Sequence, residues 1–287
     1  MNDVEVAVDG RALVGESPVW DELTRTLLWV DILRREVHRY TPAADHDTSL
    51  RLACPVGAAL PRRGGGVVVA AGLGVAVLDE TQRELTWLAR AGKGDRMNDA
   101  ACDPAGRLWA GTLTVAQHPG QAALYRLDGA ELVPVLDGVT LSNGLAWSPD
   151  GELLYYADTA TERVDAFDYD VATGAISQRR TFVDLHDVPG RPDGLTVDAE
   201  GGVWVAMARG GTVRQFGADG ALQGVIEAGT PTVTSCGFGG DGLRELYITT
   251  ACVGLGEADL VDHPRAGALL RVRDVGVAGL PVSGFAR

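Results

Sequence analysis

Short runs of aromatic and β-branched residues return along this chain at intervals of 40, 40, 47, 48 and 43 residues, marked by Trp29, Val69, Trp109, Tyr156, Trp204 and Tyr247. Each marker lies in an apolar triplet such as Leu28-Trp29-Val30, Leu108-Trp109-Ala110 or Val203-Trp204-Val205. Most follow a turn signal: Asp103-Pro104-Ala105-Gly106, Ser148-Pro149-Asp150-Gly151, Asp198-Ala199-Glu200-Gly201 or Gly240-Asp241-Gly242. Proline presets φ, glycine supplies positive φ and Asp or Ser bonds its own turn, so these stretches read as tight hairpins. Six strand–turn–strand units of this length predict an all-β chain folded as a six-bladed β-propeller. A two-sheet β-sandwich also has regular strands, but nothing in it would repeat with this period.

A propeller with loose ends would fray. Val4-Glu5-Val6-Ala7-Val8 and Ala268-Leu269-Leu270-Arg271-Val272 both alternate like strands, so the two termini are expected to share one blade. Ser17 to Trp29 then opens the first blade proper, and the polar stretch Gly254 to Gly267 is expected to be a loop in the sixth. No linker or break in composition interrupts the 287 residues, so residues 1–287 are expected to form a single domain. Hydrophobic residues make up 46% of the chain, enough for a core, and its 38 glycines suit a fold with many turns.

The residues that precede the markers carry the chemistry. Glu16, Val56, Asn98, Asn143, Asp193 and Thr234 each lie 11 or 13 positions before a marker. A difference of two preserves facing in a strand, so these side chains are expected to share one end of the innermost strands and converge on the propeller axis. Oxygen-bearing groups crowded into one channel are costly to desolvate without a positive partner. Glu16, Asn98, Asn143 and Asp193 therefore suit a hard divalent cation such as Ca²⁺, Mg²⁺ or Mn²⁺, and Zn²⁺ also accepts carboxylates. The competing explanation is that Asn143-Gly144 and Asp193-Gly194 are hairpin turns, where such dipeptides are common. Arg96, two residues before Asn98, is expected on the same face. It could hold an oxygen-rich substrate or a developing oxyanion, or it could form a salt bridge.

Other functions fit poorly. The 25 Lys and Arg against 39 Asp and Glu give a net charge of −14, which opposes nucleic-acid binding. No uninterrupted apolar run is long enough to span a membrane, and Met1-Asn2-Asp3-Val4-Glu5 lacks the basic region and apolar run of a signal peptide. Cys54, Cys102, Cys236 and Cys252 are widely spaced and read as buried, reduced thiols of a cytoplasmic protein. The five histidines show no ligand or triad spacing, and Ser17 and Ser235 have no visible base partner.

The segments Gly15-Glu16-Ser17-Pro18-Val19-Trp20, Arg96-Met97-Asn98-Asp99, Asp103-Pro104-Ala105-Gly106-Arg107, Ser142-Asn143-Gly144-Leu145, Pro192-Asp193-Gly194 and Thr234-Ser235-Cys236-Gly237-Phe238-Gly239-Gly240 resemble the signatures of the senescence-marker-protein/regucalcin/gluconolactonase/luciferin-regenerating family. The likeness runs from about Gly15 nearly to the C-terminus. It implies a six-bladed propeller that opens small sugar lactones with one divalent metal cation on its axis. Carried over by position, Glu16, Asn143 and Asp193 match metal ligands. Asp193 also matches the general base, and Arg96 and Asn98 match substrate-binding residues. Regucalcin-like members carry a substrate-facing glutamate in a loop that here reads Gln117-His118-Pro119-Gly120-Gln121. The resemblance therefore implies a sugar lactone without specifying gluconolactone.

The implied chemistry is hydrolysis by a metal-activated water, with Asp193 taking its proton and Arg96 and Asn98 positioning the substrate. Two alternatives remain at this stage. The same site could open another ester, such as a phosphotriester, or the chain could be a calcium-binding propeller without catalysis. Arg96 disfavours the second, because a simple ion site needs no cation beside it.

Overall fold

The computed structural model describes residues 3–287; Met1 and Asn2, at the start of the acidic N-terminal stretch, lie outside them. Among the described residues the strands form six antiparallel four-stranded sheets, the blades of a six-bladed propeller. Blades 1 to 5 each use four consecutive strands, and their inner strands are Gly15–Asp21, Val56–Pro61, Arg96–Cys102, Ser142–Trp147 and Arg191–Val197. Blade 6 takes Val233–Gly239, Glu245–Thr250 and Leu269–Val272, and completes itself with the N-terminal strand Val4–Val8. Val4 faces Val272 and Val6 faces Leu270, so the termini do share a blade.

All six markers are buried, each on the second strand of its blade. The apolar core is divided into six clusters, one between each pair of neighbouring blades. At the closing seam Trp20, Leu27, Trp29 and Tyr40 of blade 1 meet Tyr247 and Leu269 of blade 6. Large rings suit this place because they fill the widening gap between two twisted sheets; full burial of one large apolar side chain contributes roughly 1.5–3 kcal/mol.

The turn signals do more than reverse the chain. Asp103 Oδ1 accepts the backbone N–H groups of Ala105 and Arg107 at 2.9 Å each, while Oδ2 accepts Trp109 Nε1 at 3.0 Å. Asp198 repeats this in blade 5, taking Glu200 N and Gly202 N on Oδ1 and Trp204 Nε1 on Oδ2. One carboxylate thus ties the hairpin to the marker tryptophan that follows it. Both aspartates are fully buried, and these charge-assisted bonds offset the cost of burial.

Two local expectations need correction. Gly254 to Gly267 is not all loop, because Glu257–Asp262 forms a short helix whose start is held by Asp259 accepting the Gly256 N–H at 2.9 Å. All four cysteines are unpaired, yet only Cys236 is fully buried. Cys54 and Cys252 lie in connections between strands and Cys102 ends its strand, so these three are half-covered. No helix among the described residues is long and apolar enough to cross a membrane.

We propose that residues 1–287 unfold as one unit, because each blade buries its faces only against its neighbours. Tryptophans occupy blades 1 to 5, so fluorescence samples most of the ring. Urea unfolding followed by tryptophan fluorescence and by far-UV circular dichroism is expected to give coincident single transitions. Two separated transitions would show independent domains.

Candidate functional site

Every inner strand loses register near its start. The breaks fall between Glu16 and Val19, Val56 and Ala58, Met97 and Ala100, Ser142 and Leu145, Pro192 and Leu195, and Val233 and Ser235. Such bulges re-aim side chains that a regular pleat would send to opposite faces. The leading residues Glu16, Asn98, Asn143 and Asp193 are all buried at this level.

The dipeptides Asn143-Gly144 and Asp193-Gly194 are not turns. Both lie inside inner strands, and neither glycine has a positive φ. Glycine is needed for approach between strands. A Cβ on Gly57 would fall on the carbonyl of Asn98, one on Gly144 would lie 2.7 Å from Asp193 O, and one on Gly194 would fall on the Ser235 hydroxyl. Neighbouring inner strands therefore pass nearly backbone to backbone at the axis.

A chain of hydrogen bonds orients the amides. Thr159 Oγ1 donates to Pro192 O at 2.8 Å, so it accepts from Asn143 Nδ2 at 2.7 Å. This turns Asn143 Oδ1 towards Asn98, whose Nδ2 donates to it at 2.9 Å and to Ser142 O at 2.8 Å. Both amide hydrogens of Asn98 are thus committed. Its Oδ1 accepts from Arg96 Nη1 at 2.8 Å, and the same Nη1 donates to Met97 O at 2.8 Å. Among the described residues Arg96 forms no ion pair within 4.0 Å, so the salt-bridge alternative does not describe it.

Three carboxylates share this interior: Glu16, Asp193 and Asp99. Burial pushes the Glu16 carboxyl well above the usual range, and the charges of Asp193 and Asp99 add to the shift. The Ser17 N–H, donated to Glu16 Oε2 at 3.0 Å, and Arg96 only partly oppose it. Asp193 is raised for the same reasons, first by burial and then by Asp99. Arg96 is pulled below its ordinary value by burial, with Glu16 and Asp193 holding it up. The guanidinium is thus the positive group that Glu16 and Asp193 feel.

The donor set fits a divalent cation. Among the described residues Asp193 Oδ1 is buried without any hydrogen-bond partner, a costly state for a carboxylate oxygen unless something positive meets it. Glu16 keeps one oxygen free of backbone donors, and Asn143 Oδ1 keeps a lone pair. Among the described residues no three His, Cys, Asp or Glu side chains are grouped to hold an ion by themselves. A cation here would therefore need the Asn143 amide oxygen beside Glu16 and Asp193, an all-oxygen set that suits a hard ion.

Sequence reasoning missed Asp99. Strand alternation set it opposite Asn98, and the bulge between Met97 and Ala100 removed that opposition. A signal was available, since the equivalent positions are Ser17, Gly57, Gly144, Gly194 and Ser235, so Asp99 is the one large charged residue in a ring of small ones. Thr159, which orients Asn143, lies in a connecting turn and gave no sign of itself. The loop at Gln117 to Gln121 joins the second and third strands of blade 3 and is mostly exposed.

Comparison with known proteins bears on this arrangement. A sequence profile described as the SMP-30/gluconolactonase/LRE-like region matches residues 14–252. Regucalcin of Danio rerio is 39% identical over 284 residues, covering 97% of this chain and 96% of the relative. Among solved structures, the calcium-binding protein regucalcin of Agrobacterium tumefaciens superposes with a TM-score of 0.95 at 26% identity, covering 100% of this chain and 98% of that one. A gluconolactonase of Xanthomonas campestris superposes with a TM-score of 0.75 at 26% identity, over 93% and 88% of the two chains.

The carboxylate cluster makes stability depend on pH. Burial pushes the Asp99 carboxyl up to about 6, whereas an unfolded aspartate releases its proton near about 4. Between those values the folded state binds more protons, so this group's contribution to stability falls as pH rises through the window. In chelator-treated protein, Asp99→Asn is expected to raise the melting temperature by several degrees at about pH 7 and hardly at about pH 4. Calorimetry at the two pH values measures this, and an equal effect at both would remove the electrostatic explanation.

Proposed function

This chain belongs to the SMP-30/gluconolactonase/LRE-like family, and from that membership we propose that it is a lactonase opening small sugar lactones with the help of one divalent cation. The observation that carries the reading is the unpartnered, buried Oδ1 of Asp193 among Glu16, Asn143 and an Arg96 that pairs with no carboxylate. The gluconolactonase likeness supports the substrate class, and the calcium-binding likeness supports a hard cation. Four unpaired thiols support a reducing, cytoplasmic setting.

Glu16, Asn143 and Asp193 would hold the cation. When bound, it supplies Lewis-acid polarisation of the lactone carbonyl and a lowered pKa for water at the site. Asp193 would accept the proton of the attacking water through its carboxylate. Arg96 keeps donors beyond Nη1 for the carbonyl oxygen as charge develops there. Asn98 holds that guanidinium in register, and its Oδ1 can still accept one bond from a sugar hydroxyl. Water adds to the carbonyl carbon, the ring C–O bond breaks, and the departing ring oxygen takes up the proton. The product is the open-chain hydroxy acid. Selectivity among sugars then falls to exposed groups such as those of the Gln117–Gln121 loop, where no glutamate stands.

Acid release from a panel of aldonolactones, lactones lacking hydroxyls and a phosphotriester, assayed with and without chelator, tests the reading. Chelator-sensitive turnover of the aldonolactones is expected. Turnover confined to the phosphotriester, or none with any cation, would overturn it.

Two variants separate the roles. Asp193→Ala is expected to lower turnover by at least about 10²-fold and to abolish stoichiometric metal by elemental analysis; a mutant that retains one equivalent of metal sinks the ligand assignment. Arg96→Ala is expected to keep its metal, because a guanidinium coordinates no cation, while kcat/KM falls about 10- to 100-fold, a larger effect than the change in the melting temperature of the metal-loaded protein. A destabilised but fully active Arg96→Ala protein would assign the residue to the fold instead.

A further inference from the structure

The axial channel continues past the carboxylates. Beyond Asp99, towards the hairpins at Pro104 and Pro149, it widens into a cavity of about 350 Å³, within the size range of small-molecule sites. Glu16, Arg96, Asn98, Asn143 and Asp193 take no part in its lining, so it opens on the opposite side of the Asp99 level from the candidate active site. Its walls are largely apolar, with Leu60, Leu145, Leu195, Val197 and Phe238 contributed by four different blades.

The C-terminal tail covers the mouth. Gly279 N donates to Leu243 O, and Ala199 N to Ala278 O, at 2.8 Å each. Further on, Phe285 N donates to Pro61 O at 2.8 Å, Ala286 N to Gly106 O at 3.0 Å, and the Phe285 ring is buried between blades 2 and 3. The tail therefore crosses from blades 5 and 6 to blades 2 and 3. Leu280 to Ser283 span the gap and line the cavity, without backbone hydrogen bonds of their own among the described residues. A strap fastened at both ends and free between them can lift to admit a ligand.

Among the described residues one charged side chain lines this cavity: Asp99. It is 8% exposed, and among the described residues its carboxylate accepts a single hydrogen bond, from Ala100 N at 2.8 Å. That combination decides what can fill the space. A neutral hydrocarbon would strip water from the carboxylate and leave it uncompensated. An anion would add a like charge beside three buried carboxylates. A cation with an apolar body would offset the charge and cover the walls together, and the net charge of −14 favours its approach.

We propose that this cavity binds a small organic amine, with its ammonium on Asp99 and an apolar body of about phenylalkyl size between the inner strands and the Leu280–Ser283 strap. The site is independent of the lactonase reading.

Titration calorimetry with 2-phenylethylamine, 2-phenylethanol and 3-phenylpropionate tests it on the full chain, with Ca²⁺ present to occupy the carboxylates on the other side. The amine is expected to bind one to one, at least about tenfold more tightly than the alcohol, and the carboxylate not to bind. Asp99→Asn is expected to abolish the preference of amine over alcohol. Val282→Trp, which fills the cavity from the strap, is expected to abolish amine binding and leave the far-UV circular dichroism spectrum unchanged. Equal binding of amine and alcohol to the unmodified protein, absence of amine binding, or undiminished amine binding to Val282→Trp would each overturn the proposal.

Discussion

Everything at the axis depends on closing the ring. Inner strands can approach as closely as Gly57, Gly144 and Gly194 require only if no blade is free to swing outward. That restraint comes from Val4–Val8 pairing with Leu269–Val272 and from the aromatic seam between blades 1 and 6. Residues from the two ends of the chain thus set the spacing of groups that neither end contains. A change in the seam would be felt at Asp193 through the backbone, without any direct contact.

Closure gathers charge as well as backbone. Blades 1, 3 and 5 bring Glu16, Asp99 and Asp193 into one poorly hydrated interior, where Asp99 raises the proton affinity of Glu16 and of Asp193, and Asp193 raises that of Glu16. Arg96 is the nearby compensation, and it is itself partly desolvated. Such an arrangement is poor for stability, because buried like charges are costly, and carboxylates with raised proton affinity gathered at one place mark a candidate site for chemistry. The Asp99 level also divides the channel, with amides and a guanidinium on one side and apolar walls under a tail strap on the other.

The motifs gain meanings in three dimensions that their composition does not carry. Asn-Gly and Asp-Gly are turn signals in isolation, yet Asn143-Gly144 and Asp193-Gly194 sit in the middle of strands and owe their glycines to the neighbouring backbone. Asp103 and Asp198 do mark turns, and each also fastens a marker tryptophan through its indole N–H. Turn propensity is a local property. Which of these aspartates faces the axis depends on where the repeat places it.

The spacing of the markers, the alternation at the two termini and the place of Glu16, Asn98, Asn143 and Asp193 before the markers were legible in the chain itself. They rest on local periodicity, which a strand expresses wherever it lies. The bulge that turns Asp99 inward, the Thr159 bond that orients the Asn143 amide and the strap that roofs the lower cavity were decided only by the tertiary structure. Each depends on a contact between residues far apart in sequence, made after the ring has closed, and no local pattern of residues encodes a contact of that kind.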